Sequence, residues 1–435
     1  MITVVKFGGS SVASAKQFNK VKNIVKGDEK RQAVVVSALG KRTKEDSKIT
    51  DLLYVLSSHI KYAVDYSNVF NEIYFRYNEV KCDLGLKYDI QGDFDAFKET
   101  LKNGATEEFI VSRGEYFCAK LMANYLGYAF VDAADVIKFN YDGSLNYEKT
   151  KELVKAKYEE VGAMVVPGFY GSFPTGEIKL FSRGGSDITG SLIAMALEAE
   201  KYENWTDVSG VLMADPRIVE NPKRIAEVTY DELRELSYMG ASVLHEETIF
   251  PIRELAIPIH ILNTNAPTDE GTVILQNSSI SDGIITGISG KKNYKAFTIT
   301  KAITANKSVV IRKCLEIFEH FKVAVEHIPT AIDKFNVIVD GKKVEKKLYD
   351  IIGKLKEIEG VLSVDVDSDL ALVAVVGRNM ALKPGMSGLI FSIFGKNDIN
   401  IKTIAQSTEE ISIIVGVAEK DFEKAINAIY DGIVR

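Results

Sequence analysis

The sequence has 435 residues, which is too many for one ordinary hydrophobic core and predicts two or three domains. Its 54 Lys and Arg against 60 Asp and Glu leave a formal charge of -6, which gives no support for a nucleic acid or an anionic membrane as partner. The three cysteines lie far apart without a CxxC pair, so neither a disulfide framework nor a zinc site is indicated, and a reducing cytoplasm is expected. No secretion signal precedes the first apolar run, and no run reaches the roughly 20 apolar residues of a membrane span.

Short apolar runs alternate with helical patterns in the first two thirds of the chain. This rhythm predicts an α/β domain at residues 1–280, a mostly parallel sheet sandwiched by helices. Helical spacing marks 191–200 and 230–236. Residues 54–106 are polar, aromatic and helical in period, and are interpreted as a helical excursion from the sheet. The runs expected to form buried strands are 2–7, 32–37, 129–132, 163–167 and 258–262.

The last third contains an internal repeat, in which for example Phe318 pairs with Phe394, 76 positions later. Each copy has the pattern strand, helix, strand, strand, helix. The strands alternate apolar and polar residues, so that one face packs on the helices. After a loop composition at 277–283, we therefore expect two small α+β units, at 294–367 and 368–435.

A strand that meets two glycines and then a helix opens the chain, where residues 4–11 read VVKFGGSS. Glycines let the backbone approach a phosphate closely, and the helix, expected to begin near Ser11, offers free N–H groups and the positive end of a dipole. Lys6 adds a point charge. A tight turn with a solvated lysine is the alternative interpretation. No GxxxxGK[ST] or GxGxxG motif occurs, which sets the P-loop and dinucleotide-binding folds aside.

A second glycine-rich helix start lies at residues 181–190, FSRGGSDITG. Arg183 could hold a carboxylate bidentately, and Asp187 could orient a lysine. The simpler interpretation makes Ser186 or Asp187 an N-cap. Two such starts in one sheet domain, each with a charge that is costly to bury, favour the functional interpretation.

Two further segments carry polar residues that suit a ligand site. The run WTDVSGV at 205–211, followed by DPR at 215–217, puts Thr and Asp at a strand end, where ligands of α/β sheets bind. The run SRGE at 112–115 is expected to lead a helix, and by default Glu115 is the capping-box partner of Ser112.

Together and in this order, these motifs resemble those of the aspartokinase branch of the amino-acid kinase family. KFGGSS is similar to the family's KFGGTS, SRGE to its S-x-GE, FSRGGSD to its x-x-RGGSD, and WTDVSGVLMADPR to its WTD-x-x-G-x-x-x-x-DPR. The repeated units resemble its tandem ACT domains, which are ferredoxin-like. The resemblance covers essentially the whole chain. It implies transfer of the γ-phosphoryl group of ATP to the β-carboxylate of L-aspartate, the first step of lysine, threonine and methionine biosynthesis.

The resemblance also implies a role for each motif residue. Lys6 would neutralise the phosphates, and Asp187 would position Lys6. Mg²⁺ would be held mainly by the nucleotide, so no protein ligand for a metal is named. The residues implied to hold ATP are Lys6, Gly8, Gly9, Ser10, Thr206, Asp207, Asp215 and Arg217. Those implied to bind aspartate are Glu115 at its ammonium group, Arg183 at its α-carboxylate, and Thr50 and Ser186.

The sequence departs from the family pattern at two places that bear on the site. Ser242 replaces the lysine of the family's GAKVLHP run and cannot supply its charge. Residues 37–44, SALGKRTK, differ from the usual small-residue run and put extra cations near the expected phosphate site.

The ACT resemblance implies feedback inhibition by lysine or threonine. It also implies pairing of ACT sheets edge to edge, hence a homodimer or a dimer of dimers. Two alternatives stay open. Another kinase of the same superfamily, acting on glutamate, carbamate or a nucleotide, predicts the glycine motifs without ACT units or SRGE. A non-catalytic amino-acid sensor predicts loss of Lys6 or Asp187, and both residues are present.

Overall fold

The chain forms two compact units, each continuous in space but not in sequence. The first comprises Met1–Val211, Ala226–Tyr230 and Val243–Ser278, and the second comprises Leu212–Ile225, Asp231–Ser242 and Ser279–Arg435. Segments before the expected boundary near residue 280 thus group with the C-terminal residues; the domain limits themselves stay a prediction. The computed structural model describes residues 2–182, 184–241, 244, 246–278, 283–380, 383–406 and 411–435.

An eight-stranded sheet organises the first unit, in the order β3-β4-β2-β1-β7-β9-β10-β8. Its pairs are parallel except for β9 with β10. The five strands expected from apolar runs are all present, and β5 and β6 form a separate hairpin. The strands are β1 (Thr3–Phe7), β2 (Arg31–Val36), β3 (Ala129–Phe130), β4 (Met164–Pro167), β5 (Tyr170–Ser172), β6 (Ile178–Leu180), β7 (Lys201–Thr206), β8 (Glu227–Thr229), β9 (Ile259–Asn263) and β10 (Thr272–Leu275).

Helices cover this sheet, as the mostly parallel arrangement requires. The helical excursion expected at 54–106 is confirmed as three helices, whose aromatic side chains pack around Phe94 and Phe117, 4.2 Å apart between ring centroids. The helices of this part of the chain are α1 (Ala15–Lys26), α2 (Ile49–Lys61), α3 (Ser67–Asp83), α4 (Ile90–Lys102), α5 (Glu107–Leu126), α6 (Ala133–Val136), α7 (Tyr147–Val161), α8 (Gly185–Ala196), α9 (Tyr230–Tyr238) and α10 (Glu246–Arg253). Of these, α9 belongs mostly to the second unit. None of the described helices is both long and apolar enough to cross a bilayer.

The SRGE run does not begin a helix, contrary to expectation. It lies in the middle of α5, which begins earlier because Thr106 accepts a hydrogen bond from the Phe109 N–H and two glutamates follow in the first turn. The Ser112 hydroxyl donates instead to the Phe109 carbonyl, one turn back. Glu115 is therefore not a capping residue, and it lies in the middle of a largely buried helix.

The second unit contains one six-stranded antiparallel sheet in the order β12-β13-β11-β14-β16-β15, and it confirms the predicted repeat. Its strands are β11 (Gly287–Lys301), β12 (Val325–His327), β13 (Lys334–Asp340), β14 (Val361–Val376), β15 (Thr403–Gln406) and β16 (Ser412–Val417). Its helices are α11 (Lys307–His320), α12 (Gly341–Val344), α13 (Leu348–Lys356), α14 (Met386–Lys396) and α15 (Phe422–Ile433). A 3-10 turn at Glu345–Lys347 separates α12 from α13.

The two central strands serve both copies of the repeat. β11 has 15 residues and β14 has 16, and they pair along their whole length. Phe297 in the second half of β11 packs in the core of the first copy, whereas Ile288 in its first half packs in the core of the second. β14 runs the other way, so its first half packs in the core of the first copy and its second half in the core of the second. Each copy thereby obtains a four-stranded sheet from strands that it shares with the other.

Most of α9 belongs to the second unit through a buried ion pair. Glu232 is fully buried and accepts hydrogen bonds from the Arg378 backbone N–H at 2.9 Å and the Arg378 Nη1 at 2.7 Å. The Thr286 hydroxyl donates to the same carboxylate at 2.5 Å. Because a buried charge without its partner is strongly destabilising, this pair fixes the helix within the unit.

Arg378→Met tests the strength of this attachment. We expect the free energy of unfolding to fall by about 3 kcal/mol, because Glu232 would stay buried without its guanidinium. Denaturant unfolding followed by circular dichroism measures the change. Lys292→Met is the matched control, since Lys292 pairs with Glu423 at the surface of the same unit and should change stability by less than about 1 kcal/mol. Equal effects of the two substitutions would contradict the prediction.

Candidate functional site

The N-terminal glycine turn packs against a second turn that follows β2. β1 ends at Phe7, a 3-10 helix spans Gly9–Val12, and α1 begins only at Ala15, later than expected. A Cβ built on Gly40 would lie 2.5 Å from the carbonyl carbon of Gly9, so only glycine fits where the two turns meet. Sequence reasoning missed Gly40; its signal was a glycine four residues after Val36, the last residue of a buried strand.

Lys6 and Asp187 form a salt bridge at the carboxyl end of β1. Lys6 Nζ lies 2.5 Å from Asp187 Oδ1, and the lysine side chain is only 9% exposed. Asn204, the neighbour of Lys6 on β7, accepts from Lys6 Nζ at 3.3 Å and donates to Asp187 Oδ1 at 2.9 Å. Two polar partners therefore hold the lysine ammonium in place at a largely buried position, and Asn204 joins the site as a residue that the sequence motifs did not identify.

The second glycine motif begins α8 as predicted. Gly184 adopts a left-handed conformation with φ 59°, and a Cβ on Gly168 would lie 2.6 Å from Ser186. Ser186 and Asp187 therefore lie in the first turn of α8, with the Asp187 N–H bonded to the Gly184 carbonyl. Arg183, the residue expected to bind a carboxylate, lies outside the described residues, as does Ser242.

Glu115 is a buried carboxyl group with one unused oxygen. It is 4% exposed, and its Oε2 has no hydrogen-bond partner. Burial raises its pKa to about 8, even though the backbone N–H of Ala38 donates to the group. A buried carboxyl oxygen without a hydrogen-bond partner costs free energy, and a cation with N–H donors would supply that partner.

These elements surround one cavity of about 740 Å³. The expected site residues that line it are Lys6, Gly9, Ser10, Thr50, Glu115, Ser186, Asp187 and Asp207. The other lining residues are Ser37, Ala38, Leu39, Gly40, Lys41, Thr43, Lys44, Lys48, Phe169, Gly184 and Gly185. Two of the extra cations expected near the phosphate site, Lys41 and Lys44, thus lie in its wall. Four lysines at one cavity suit a polyanion, and the unpartnered Oε2 of Glu115 suits an ammonium group.

The remaining expected nucleotide residues do not line this cavity. Gly8 donates its backbone N–H to the Trp205 carbonyl at 3.1 Å. The Thr206 hydroxyl donates to Asp207 at 3.2 Å.

Asp215 and Arg217, also expected at the nucleotide, belong to the second unit. They pair with each other at 2.6 Å. The guanidinium lowers the pKa of Asp215 through its hydrogen bonds.

Comparison with known proteins places the chain in a family. A model of the amino acid kinase family matches residues 1–263, and a model of the ACT domain matches residues 373–432. Aspartokinase 3 of Bacillus subtilis is 35% identical over 98% of this chain and 97% of its own length. The crystal structure of Clostridium acetobutylicum aspartate kinase covers 99% of this chain and 100% of its own, with a TM-score of 0.96 at 46% identity.

A more distant structure has the same fold. Escherichia coli aspartokinase III in complex with aspartate and ADP superposes with a TM-score of 0.77 at 23% identity, and the match covers 100% of both chains. The two family models, over residues 1–263 and 373–432, therefore agree with a similar sequence and a similar structure that cover nearly the whole chain. The chain belongs to the amino acid kinase family, in its aspartokinase branch.

Proposed function

We infer that the chain is an aspartate kinase, which transfers the γ-phosphoryl group of ATP to the β-carboxylate of L-aspartate and forms 4-phospho-L-aspartate. The observation that carries this inference is the cavity, which is lined by four lysines and by Glu115, whose Oε2 has no hydrogen-bond partner. The first feature suits a triphosphate and the second an amino acid. The ACT units make the enzyme subject to regulation.

On the nucleotide side, we propose that Lys6 neutralises the transferring phosphoryl group. Asp187 and Asn204 hold the ammonium of Lys6 in place, so little reorganisation is needed when charge develops. The glycine turn at Gly8 and Gly9 leaves room for phosphate oxygens beside the backbone, and Ser10 adds a hydroxyl.

The cavity also fits a magnesium ion that arrives with the nucleotide. Mg²⁺ is commonly held by one or two carboxylates together with phosphate oxygens and water. Asp207, an exposed carboxylate in the cavity wall, is the protein group that we propose for this role. When bound, the ion neutralises charge on the phosphates.

On the amino-acid side, we propose that Glu115 accepts the α-ammonium group, with Thr50 and Ser186 beside it and Arg183 at the α-carboxylate. The substrate β-carboxylate has an ordinary pKa of ~4 and is already an anionic nucleophile at neutral pH. No general base is therefore required. Catalysis depends on placing the carboxylate in line with the γ-phosphoryl group and on neutralising the charge around it.

Regulation and assembly remain proposals. We propose that lysine or threonine binds at the ACT units and inhibits the kinase. The short edge strands β12 and β15 leave unpaired backbone groups, which pairing with a second chain would satisfy in a homodimer or a dimer of dimers. A cytoplasmic location follows from the same proposal, because ATP and aspartate are available there.

Lys6→Met tests the catalytic proposal. We expect the wild-type chain to form acyl hydroxamate from ATP with aspartate but not with glutamate or N-acetylglutamate, and the variant to lose at least about 100-fold in kcat. Lys16→Met, at an exposed lysine of α1, is the control and should keep full activity. Intact amino-acid binding without activity on any substrate would instead favour a sensor. The same assay with added lysine or threonine identifies the effector.

Glu115→Gln tests recognition of the substrate ammonium. We expect aspartate affinity to fall about 10- to 100-fold, because a charge-assisted hydrogen bond contributes about 1.5 to 3 kcal/mol. In the wild type, Glu115 is protonated below pH 8 when free and ionised when paired, so aspartate binding at pH 7 should release a proton. Calorimetry in buffers of different ionisation enthalpy measures this release. A wild-type enthalpy that is independent of the buffer would contradict the assignment.

The same substitution should change stability in a pH-dependent way. The folded pKa of Glu115 is about 8 against an ordinary value of 4.5, so only the unfolded chain ionises between these values. Wild-type stability is therefore lost progressively as pH rises from 4.5 to 8. We expect the Tm of Glu115→Gln to exceed that of the wild type at pH 8 and the difference to shrink towards pH 5. Glu108→Gln, at an exposed position of the same helix, should show no such trend.

A further inference from the structure

One buried arginine ties down the cationic wall of the cavity. Arg76, on α3, is 3% exposed. Its Nη2 donates to the Gly40 carbonyl at 2.6 Å, and its Nη1 donates to the Ser47 carbonyl at 3.2 Å. Nη1 also lies 3.1 Å from Asp46 Oδ2. A single guanidinium thus holds both ends of the segment that joins β2 to α2.

This segment has little regular backbone hydrogen bonding of its own, and within it the Arg42 backbone N–H and side chain donate to Asp46. Residues 41–48 form neither helix nor strand, and the backbone hydrogen bond within the segment, from the Asp46 N–H to the Thr43 carbonyl, is long at 3.4 Å. Lys41, Lys44 and Lys48 are exposed in it and line the cavity. The positive charges of these lysines repel one another, so without a restraint the segment would move the lysines apart and away from the cavity.

The neighbouring residue on α3 fixes the turn at which the segment begins. The buried Tyr77 hydroxyl accepts from the Leu39 backbone N–H and donates to the Gly114 carbonyl on α5 at 2.7 Å. Gly40 follows directly and packs on Gly9 of the N-terminal glycine turn. The helical excursion is therefore joined by hydrogen bonds to the turn that follows β2, and that turn bonds to the N-terminal glycine turn through the Gly40 N–H and the Gly9 carbonyl at 2.9 Å.

We propose that Arg76 is a positioning residue for ATP, which holds the segment from Gly40 to Ser47 so that the lysines within and beside it face the triphosphate. The proposal rests on the proposed function, because it assigns the lysine wall to the nucleotide. Arginine suits this task better than lysine, since its planar fork can donate to two carbonyl groups at fixed positions.

The exposed arginine of the segment does not share this role. Arg42 pairs with Asp46, which is only 11% exposed, at 3.0 Å, and with Glu79 of α3 at 2.5 Å, where both side chains are exposed. Exposed pairs of this kind contribute little to stability. Glu79→Gln therefore removes a link between the same helix and the same segment while it leaves Arg76 intact, which makes it a matched control.

The test compares Arg76→Met, Arg76→Lys and Glu79→Gln with the wild type in kinase assays and in calorimetric titrations with Mg·ATP. We expect both Arg76 variants to raise the KM and the Kd for ATP about tenfold, with the KM for aspartate changed less than twofold. Their ATP affinity should also depend less on salt, because fewer lysines reach the phosphates. Glu79→Gln should match the wild type.

Each outcome decides the proposal. A lower kcat and a lower Tm with unchanged ATP affinity would mean that Arg76 only stabilises the fold, and would overturn it. Arg76→Lys carries the test if Arg76→Met does not fold, and wild-type ATP affinity in Arg76→Lys would also overturn it. A wild-type chain that binds ATP without phosphorylating aspartate would refute the proposed function alone, whereas the calorimetric comparison would still decide the role of Arg76.

Discussion

The first unit depends on holding the Lys6 ammonium at a largely buried position beside the Asp187 carboxylate. Desolvating an ion costs several kcal/mol, and a nearby carboxylate offsets this only when the geometry is good. Asp187 comes from the start of α8, Asn204 from β7 and Lys6 from β1, so the register of two strands and the entry of a helix must agree to within hydrogen-bond distance. The strand order of the sheet, with β1 beside β7, is what makes this agreement possible.

The glycines of the site follow from the same requirement. Gly9 and Gly40 let two turns touch at the carboxyl end of β1, where side chains would not fit. The second turn then continues into a segment with little regular structure of its own. Its cations are useful only if something outside the segment restrains it, and the helices of residues 49–102 are the elements that provide buried donors. The helical excursion, which the sequence pattern places outside the sheet, is therefore part of the site.

The sequence predicted the fold well because each level of the pattern agreed. Buried strands, the helical excursion and the strand-helix-strand-strand-helix repeat all followed from hydrophobic period and from glycine positions. It was wrong or incomplete at three residues. The position of Glu115 within α5 was wrong because a stronger cap at Thr106 begins the helix earlier. Asn204 and Arg76 were not identified, since a polar residue in a buried strand or a helical arginine has no local signal that reveals its distant partners.

The shared strands β11 and β14 have a consequence for how this protein can be altered. Neither long strand belongs to one copy of the repeat alone, because each copy takes one half of both strands into its four-stranded sheet. A chimera that exchanged one ACT copy between relatives would combine mismatched halves of two continuous strands, so the pair must be exchanged as a single module. A side chain that changes the twist of either strand in one copy also changes the backbone on which the other is built.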